Sequence, residues 1–261
     1  EQIKGPAGKL MQLEMFVHGA LCMATSGKCY LSLHEMNSSA NRGACLQSCR
    51  RAYTVTDKET GAELDIENEY IMSPKDLKTI HFLNKILDAG VSVLKIEGRA
   101  RSPEYVQATA QCYREAVDAY FEDDFTDEKV NDWKERLGAV FNRGFWNGYY
   151  LGQRLGDWSK NYGSLATKRK MYIGKCTNYF NKINVAEFKL ETSNLMVGDE
   201  ILVTGPTSGV VKTIVTEIRV DLKPEEEGKK GQLISIQIDE KIRRADKLFK
   251  MIDAKEVKER R

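Results

Sequence analysis

The sequence has no apolar run near the ~20 residues a membrane-crossing helix requires, so no helical span is expected. Glu1 to Gly19 lacks the basic start, apolar core and small-residue cleavage site of a secretory signal. A reducing, cytoplasmic setting is therefore expected, which argues against a disulfide framework. Neither sign of charge dominates. Forty Lys and Arg face 38 Asp and Glu, and a balance of +2 leaves local patches to choose partners. There is no HExxH, no Walker A loop, no GxGxxG fingerprint, and no nucleophile elbow around Ser26 or Ser48. These absences remove the commonest zinc-peptidase, P-loop and dinucleotide chemistries. The first residue is Glu rather than Met, so the expectation is an excerpt of something longer.

What is present falls into two patterns. Up to about residue 166, strand and helix signals alternate. Met11 to Val17 reads as a strand, Tyr53 to Glu67 as a hairpin or excursion, and Glu69 to Met72 as a short strand. Ser73-Pro74 has the form of an N-cap with Pro at the first helical position. Leu77, Ile80, Asn84 and Leu87 follow at helical spacing, and Gly90 supplies a stop. Val91 to Glu97 reads as a strand. Ser102-Pro103 repeats the cap before a helix with the stripe Val106, Ala110, Tyr113, Val117 and Tyr120. Thr126 caps another helix with the stripe Val130, Trp133, Leu137 and Val140. This order predicts an α/β domain with a parallel sheet. From residue 167 to 261, period-two alternation takes over, as in Ala186, Phe188, Leu190 and in Ile234, Ile236, Ile238. Turn signals stand at Gly198-Asp199, Gly205-Pro206 and Ser208-Gly209. A small all-β barrel or sandwich is predicted there, with a fraying charged tail from Asp253.

Four of the six cysteines, Cys22, Cys29, Cys45 and Cys49, fall in the spacing C-x6-C-x15-C-x3-C. Four thiolates can hold a tetrahedral zinc or a four-iron four-sulfur cluster, and Gly19, Gly27 and Gly43 would let the backbone curl around it. The alternative is four inert buried thiols, the reading we give to Cys112 and Cys176. A second constellation is Lys95, Glu97 and Arg99, three alternating charges at the end of a strand, where α/β folds place active sites. They are candidate catalytic groups, or else a charged ladder inside a barrel. His18 ends the first strand and is a candidate proton donor or metal-supporting group, or else a structural histidine. His34 and His81 lack such context and are read as surface or packing residues. Arg42, Arg50 and Arg51 surround the cysteines, and Arg101 and Arg143 add cations. All five are candidate phosphate or substrate contacts. Phe141 to Tyr150 mixes aromatics, Arg and Gly, a composition that suits base stacking or an inter-domain seam.

The run Glu14 to Cys22, then Ser26-Gly27-Lys28-Cys29, Asn41 to Cys45 and Cys49-Arg50, resembles the core motif of peptidase family U32. Leu94 to Arg99 with Tyr105-Val106, and Phe141 to Phe145, resemble later motifs of that family. The resemblance implies that residues 1–166 are the later strands of a TIM-like barrel, whose missing N-terminal half or a second copy would complete it. It implies that residues 167–261 form a β-barrel like the second domain of translation elongation factors. Related proteins hydroxylate tRNA wobble uridine, a ribosomal RNA cytidine and ubiquinone. The implied cofactor is a four-iron four-sulfur cluster on Cys22, Cys29, Cys45 and Cys49, with zinc as the alternative. Prephenate is implied as a possible co-substrate and tRNA as a partner. The family name implies a collagenase-like peptidase as the rival activity, and a non-catalytic RNA-binding fragment is the third reading.

Overall fold

The computed structural model describes residues 3–24, 28–63, 73–99, 101–154, 156–160 and 163–255. By internal packing the chain divides into two units. The first is Glu1–Ala100 with Ala108–Leu165, and the second is Arg101–Gln107 with Ala166–Arg261.

The first unit is built on β1 (Glu14–Gly19), β2 (Asp76–Lys78), β3 (Val93–Ile96) and β4 (Phe145–Trp146), in the sheet order β3-β1-β2-β4. Its helices are α1 (Tyr30–Met36), α2 (Leu83–Asp88), the part of α3 (Pro103–Phe121) from Ala108 on, and α4 (Asp127–Ala139). β1 pairs parallel with β3, in keeping with the expected parallel sheet, and β2 pairs parallel with β4, two strands that carry no strand signal in the sequence. β1 and β2 are antiparallel, with His18 opposite Lys78. The sheet is therefore mixed, a correction to the all-parallel expectation.

The Ser73-Pro74 reading also needs correction. No helix starts there. Pro74 bridges to Trp158, Lys75 N–H donates to Asp157 O, and Asp76 N–H donates to Gly144 O. Backbone donors bonded across to other segments cannot close i−4 helical bonds. The chain stays extended as β2 and becomes α-helical only at Leu83, after a 3-10 turn at Ile80–Phe82. The first strand is displaced too, running from Glu14 to Gly19 where its partner β3 sets the register, so His18 lies inside it. Thr56 pairs with Glu63 in a small hairpin, as expected. The expected strand at 69–72 lies outside the described residues.

Helix α3 begins at Pro103 as its cap signal predicted, but its buried face is rotated. Tyr105, Ala108, Cys112, Tyr113, Ala116 and Ala119 are buried, whereas Val106 is 44% exposed. Small residues on that face let α3 lie close to its neighbours, and apolarity alone misplaces the stripe. In α4 the stripe Val130, Trp133, Leu137 and Val140 is buried throughout, and Thr126 Oγ1 accepts from Lys129 N–H as the N-cap. Cys112, Tyr113, Ala116 and Ala119 of α3 and Val130, Trp133 and Leu137 of α4 join Val17, Ile80, Phe82, Leu83 and Ile86 in one core. A polar pin crosses it. Tyr113 Oη donates to Val17 O at 2.7 Å and accepts from Thr79 N–H at 3.1 Å.

The second unit holds β5 (Lys168–Phe180), β6 (Val185–Leu190), β7 (Leu195–Met196), β8 (Glu200–Gly205) and β9 (Gly209–Ile214). These are followed by β10 (Ile218–Val220), β11 (Lys223–Glu225), β12 (Glu227–Gly228), β13 (Leu233–Gln237) and β14 (Lys247–Asp253). Eight of them form an antiparallel sheet in the order β11-β10-β13-β6-β5-β14-β8-β9, and β12 pairs with β7. Among the described residues no pairing joins β11 to β9, so the sheet is not closed into the expected barrel. The alternation holds. Ala186, Phe188, Leu190, Ile234, Ile236 and Ile238 all point into a single core. The Gly205 and Gly209 signals mark the β8–β9 hairpin.

Candidate metal centre

The cysteine-bearing segment folds by a series of sharp local turns. Helix α1 ends at Asn37, whose left-handed conformation lets its N–H reach Leu33 O. Gly43 at φ 86° and Gln47 at φ 53° redirect the chain twice more. Ser38 Oγ donates to Ala44 O at 2.7 Å, and Tyr53 Oη donates to Ser48 O at 2.8 Å, fixing both turns. The result is one cavity of about 370 Å³ lined by Cys22, Cys29, Cys45 and Cys49, with Met23 and Leu31 among its apolar walls.

All four thiols are free. Cys29 sits at the N-cap position of α1, and hydrogen bonding with the Ser32 backbone and side chain holds its thiol below the ordinary value. Burial pushes Cys49 up. The Arg50 charge opposes this, while Cys22, Cys45 and Cys29 raise it further. That mutual influence is the electrostatic sign of four thiols gathered around one space. Among the described residues, no three His, Cys, Asp or Glu side chains close on a single-ion position. A lone zinc would require its sulfurs at about 2.3 Å from one centre. Four soft sulfur donors lining one cavity are a donor set that zinc and iron–sulfur sites share.

The expected substrate and catalytic groups divide by place. Arg50 is a clamp. Its Nη1 donates to Ser73 Oγ at 2.9 Å and Pro74 O at 2.7 Å, and its Nη2 donates to Leu21 O at 2.9 Å. It ties the turn bearing Cys49 to the strand exit bearing Cys22, so it positions the loop and is not a free phosphate ligand. Arg51 pairs with Glu35 at 2.5 Å, which also accepts from Ser48 Oγ. Arg42 is exposed in the 3-10 turn between Cys29 and Cys45. Arg143 pairs at 3.7 Å with buried Asp76 and covers the Phe141 ring, a structural placement. Arg101 belongs to the second unit and covers Tyr105.

Of the strand charges, Lys95 leaves the site. It pairs with Glu14 at 2.7 Å and lies over Phe16 on the surface. Glu97 and Arg99 follow the end of β3 and remain beside the cysteine segment. A Cβ on Gly19 would stand 2.6 Å from Glu97 O, so only glycine permits that approach, and a Cβ on Gly43 would stand 3.6 Å from Arg99 Nη1. Glu97 Oε1 accepts from Arg99 N–H at 2.7 Å. His18 is 1% exposed, its ring tilted against Tyr113 and Phe145, with Nδ1 3.4 Å from Tyr113 Oη. Burial keeps it from direct contact with a substrate in solvent. Cys112 and Cys176 are buried, as expected, with thiols pushed up to about 11.

Sequence comparison places these features in a family. A chain from Porphyromonas gingivalis named collagenase is 61% identical over 250 residues, covering 96% of this chain and 60% of its own length. An uncharacterized protease of Methanocaldococcus jannaschii is 36% identical, covering 92% of this chain and 59% of its own. A protein of Bacillus subtilis named tRNA hydroxylation protein P1 is 34% identical over 201 residues, covering 75% of this chain and 47% of its own. The chain thus spans about 60% of the length of the first of these relatives. A sequence model of peptidase family U32 matches residues 1–160, which include every cysteine of the cavity. The chain belongs to peptidase family U32.

Proposed function

We propose that this chain is part of an RNA-hydroxylating enzyme, with tRNA wobble uridine as substrate and a four-iron four-sulfur cluster held by Cys22, Cys29, Cys45 and Cys49. The observation that carries this reading is the convergence of four free thiols on one cavity, a soft-metal donor set. The relative named tRNA hydroxylation protein P1 supports the RNA substrate. Held by all four cysteines such a cluster would supply electron transfer, and held by three it would leave one iron open to a substrate. The chain's own residues do the rest. Arg50 fixes the loop, Gly19 lets Glu97 approach the strand end, and Glu97 with Arg99 are charged groups beside the cysteine segment for orienting a co-substrate such as prephenate. Arg42 is the exposed cation for phosphate.

Parts of the expected architecture belong to this proposal. The parallel pair β1–β3 followed by α3 suits the later strands of a TIM-like barrel, and antiparallel β2 does not. Completion of such a barrel by an N-terminal half or a second copy, a likeness of the second unit to the second domain of translation elongation factors, and a cytoplasmic setting stand with it. Among the described residues no helix is long and apolar enough to cross a membrane.

A collagenase-like peptidase is the second reading, favoured by the name of the 61% identical relative. Against it, the sequence has no HExxH helix and no nucleophile elbow. The deciding experiment has two parts. Iron and acid-labile sulfide are measured on protein purified without oxygen, where about four of each per chain, lost in Cys45→Ala, is expected. The full-length protein is then tested for restoring hydroxylated wobble uridine in a deletion strain. Unmodified tRNA, together with collagen cleavage that Glu97→Ala abolishes, would reverse the choice.

A further inference from the structure

The first unit holds a second cavity, of about 260 Å³, that shares no lining residue with the cysteine cavity. Lys78, His81, Lys134, Phe145, Trp146 and Asn147 line it. They come from four elements: the end of β2, the 3-10 turn after it, α4, and the end of β4. The lining has two ammonium groups and no carboxylate. Lys134 is the charged group acting on Lys78, and both lysines act on His81. Lys78 Nζ stands 4.4 Å over the Phe145 ring, and Lys134 Nζ donates weakly to Asn131 Oδ1 at 3.4 Å. Among the described residues neither lysine is in an ion pair.

Two further groups are left unsatisfied. Trp146 is 7% exposed and its Nε1–H is buried without an acceptor. An indole nitrogen only donates, so nothing but an acceptor can satisfy it. His81 Nδ1 is likewise buried without a partner. Native proteins rarely leave buried donors unpaired, and such groups point to something absent from the coordinates. Two cations held side by side without a counter-charge make the same demand electrostatically. A metal ion would add repulsion, and an apolar ligand would leave the donors unpaired. An oxyanion answers the lysines by charge and the Trp146 N–H by a lone pair.

We propose that this cavity binds a small free oxyanion, a phosphate or carboxylate group of a soluble molecule, through Lys78 and Lys134 with Trp146 as a supporting contact. The proposal does not depend on the cluster or on the hydroxylase reading. The Phe145 ring that lies under Lys78 Nζ also packs against the His18 ring at 5.6 Å, so the anion would sit one ring away from that buried histidine.

The test is calorimetric titration of inorganic phosphate and of malonate into the full 261-residue chain at low ionic strength. One saturable site is expected, weakened by about tenfold or more in Lys134→Gln and in Lys78→Gln. The control Lys129→Gln, elsewhere on α4, should keep the wild-type affinity. An anion-dependent rise in melting temperature, present in wild type and missing in Lys134→Gln, gives a second readout should Lys78→Gln not fold. Absence of saturable binding to the wild type would overturn the proposal, as would equal affinity in Lys134→Gln. Binding of an oligonucleotide through Lys134 without binding of either free anion would overturn it too, by making the ligand a nucleic-acid strand.

Discussion

Arg50 carries the clearest lesson at the scale of single residues. A cation next to cysteines reads from sequence as a contact for phosphate. The folded chain uses it internally, against Leu21 O, Ser73 Oγ and Pro74 O. Removing it would leave carbonyl groups of two separate segments without their donor. We expect Arg50→Met to lower unfolding free energy by about 2 kcal/mol, because hydrogen bonds from a charged donor are worth more than neutral ones. Urea unfolding checks this, and an unchanged midpoint would show that the clamp is idle. His81 teaches the opposite lesson. It has no motif around it, and only the fold sets it beside Lys78, Lys134 and Trp146. Its candidacy was not legible because those residues are spread over 69 positions, from 78 to 146.

At the scale of elements, α3 and α4 are joined by a carboxylate at the edge of their shared core. Glu115 accepts from Arg136 Nη1 at 2.5 Å and Nη2 at 2.8 Å, and from Trp133 Nε1 at 2.9 Å. Arg136, chiefly, holds the Glu115 carboxyl below its ordinary value. A depressed folded value means the contribution is present above the unfolded carboxylate range, about 4.3 for Glu. It is lost as pH falls through the lower folded value. The side chain is 45% exposed, so solvent screening limits the effect to less than about 1 kcal/mol. Glu115→Gln should therefore cost a fraction of that near neutral pH and nothing once both carboxyl forms are protonated. Paired urea titrations at the two pH values measure it. A deficit that persists in acid would assign the role to packing against Trp133 instead.

At the scale of the molecule, the two units have separate cores, each built from its own periodicity. Phe188 is fully buried in the second. Phe188→Ala should destabilise that unit by about 3–5 kcal/mol through lost burial and the cavity left behind. Calorimetry of the whole chain should show the loss in the second unit's transition while the first unit's transition stays unchanged. A shift of both transitions would mean the two units do not hold their cores separately.

The sequence by itself determined the β-rich second unit, the helices α3 and α4, the parallel pair β1–β3 and the four-cysteine group. Each rests on a local signal: alternation, caps, apolar spacing or residue chemistry. Residues Ser73 to Leu87 mark where local signals fail. Their cap and spacing describe a helix well, but Gly144 O and Asp157 O, some 70 to 80 positions away, take the backbone donors and hold the first part extended. The same long-range decision placed Lys95 on the surface with Glu14, put His18 in the core, turned Arg50 into a clamp and assembled a cationic cavity from four elements. Residue type and spacing fix what a side chain can do. Which backbone groups and charges it meets is set only when distant segments pair, because hydrogen bonds and electrostatic contacts act over a few ångströms of space and not along the chain.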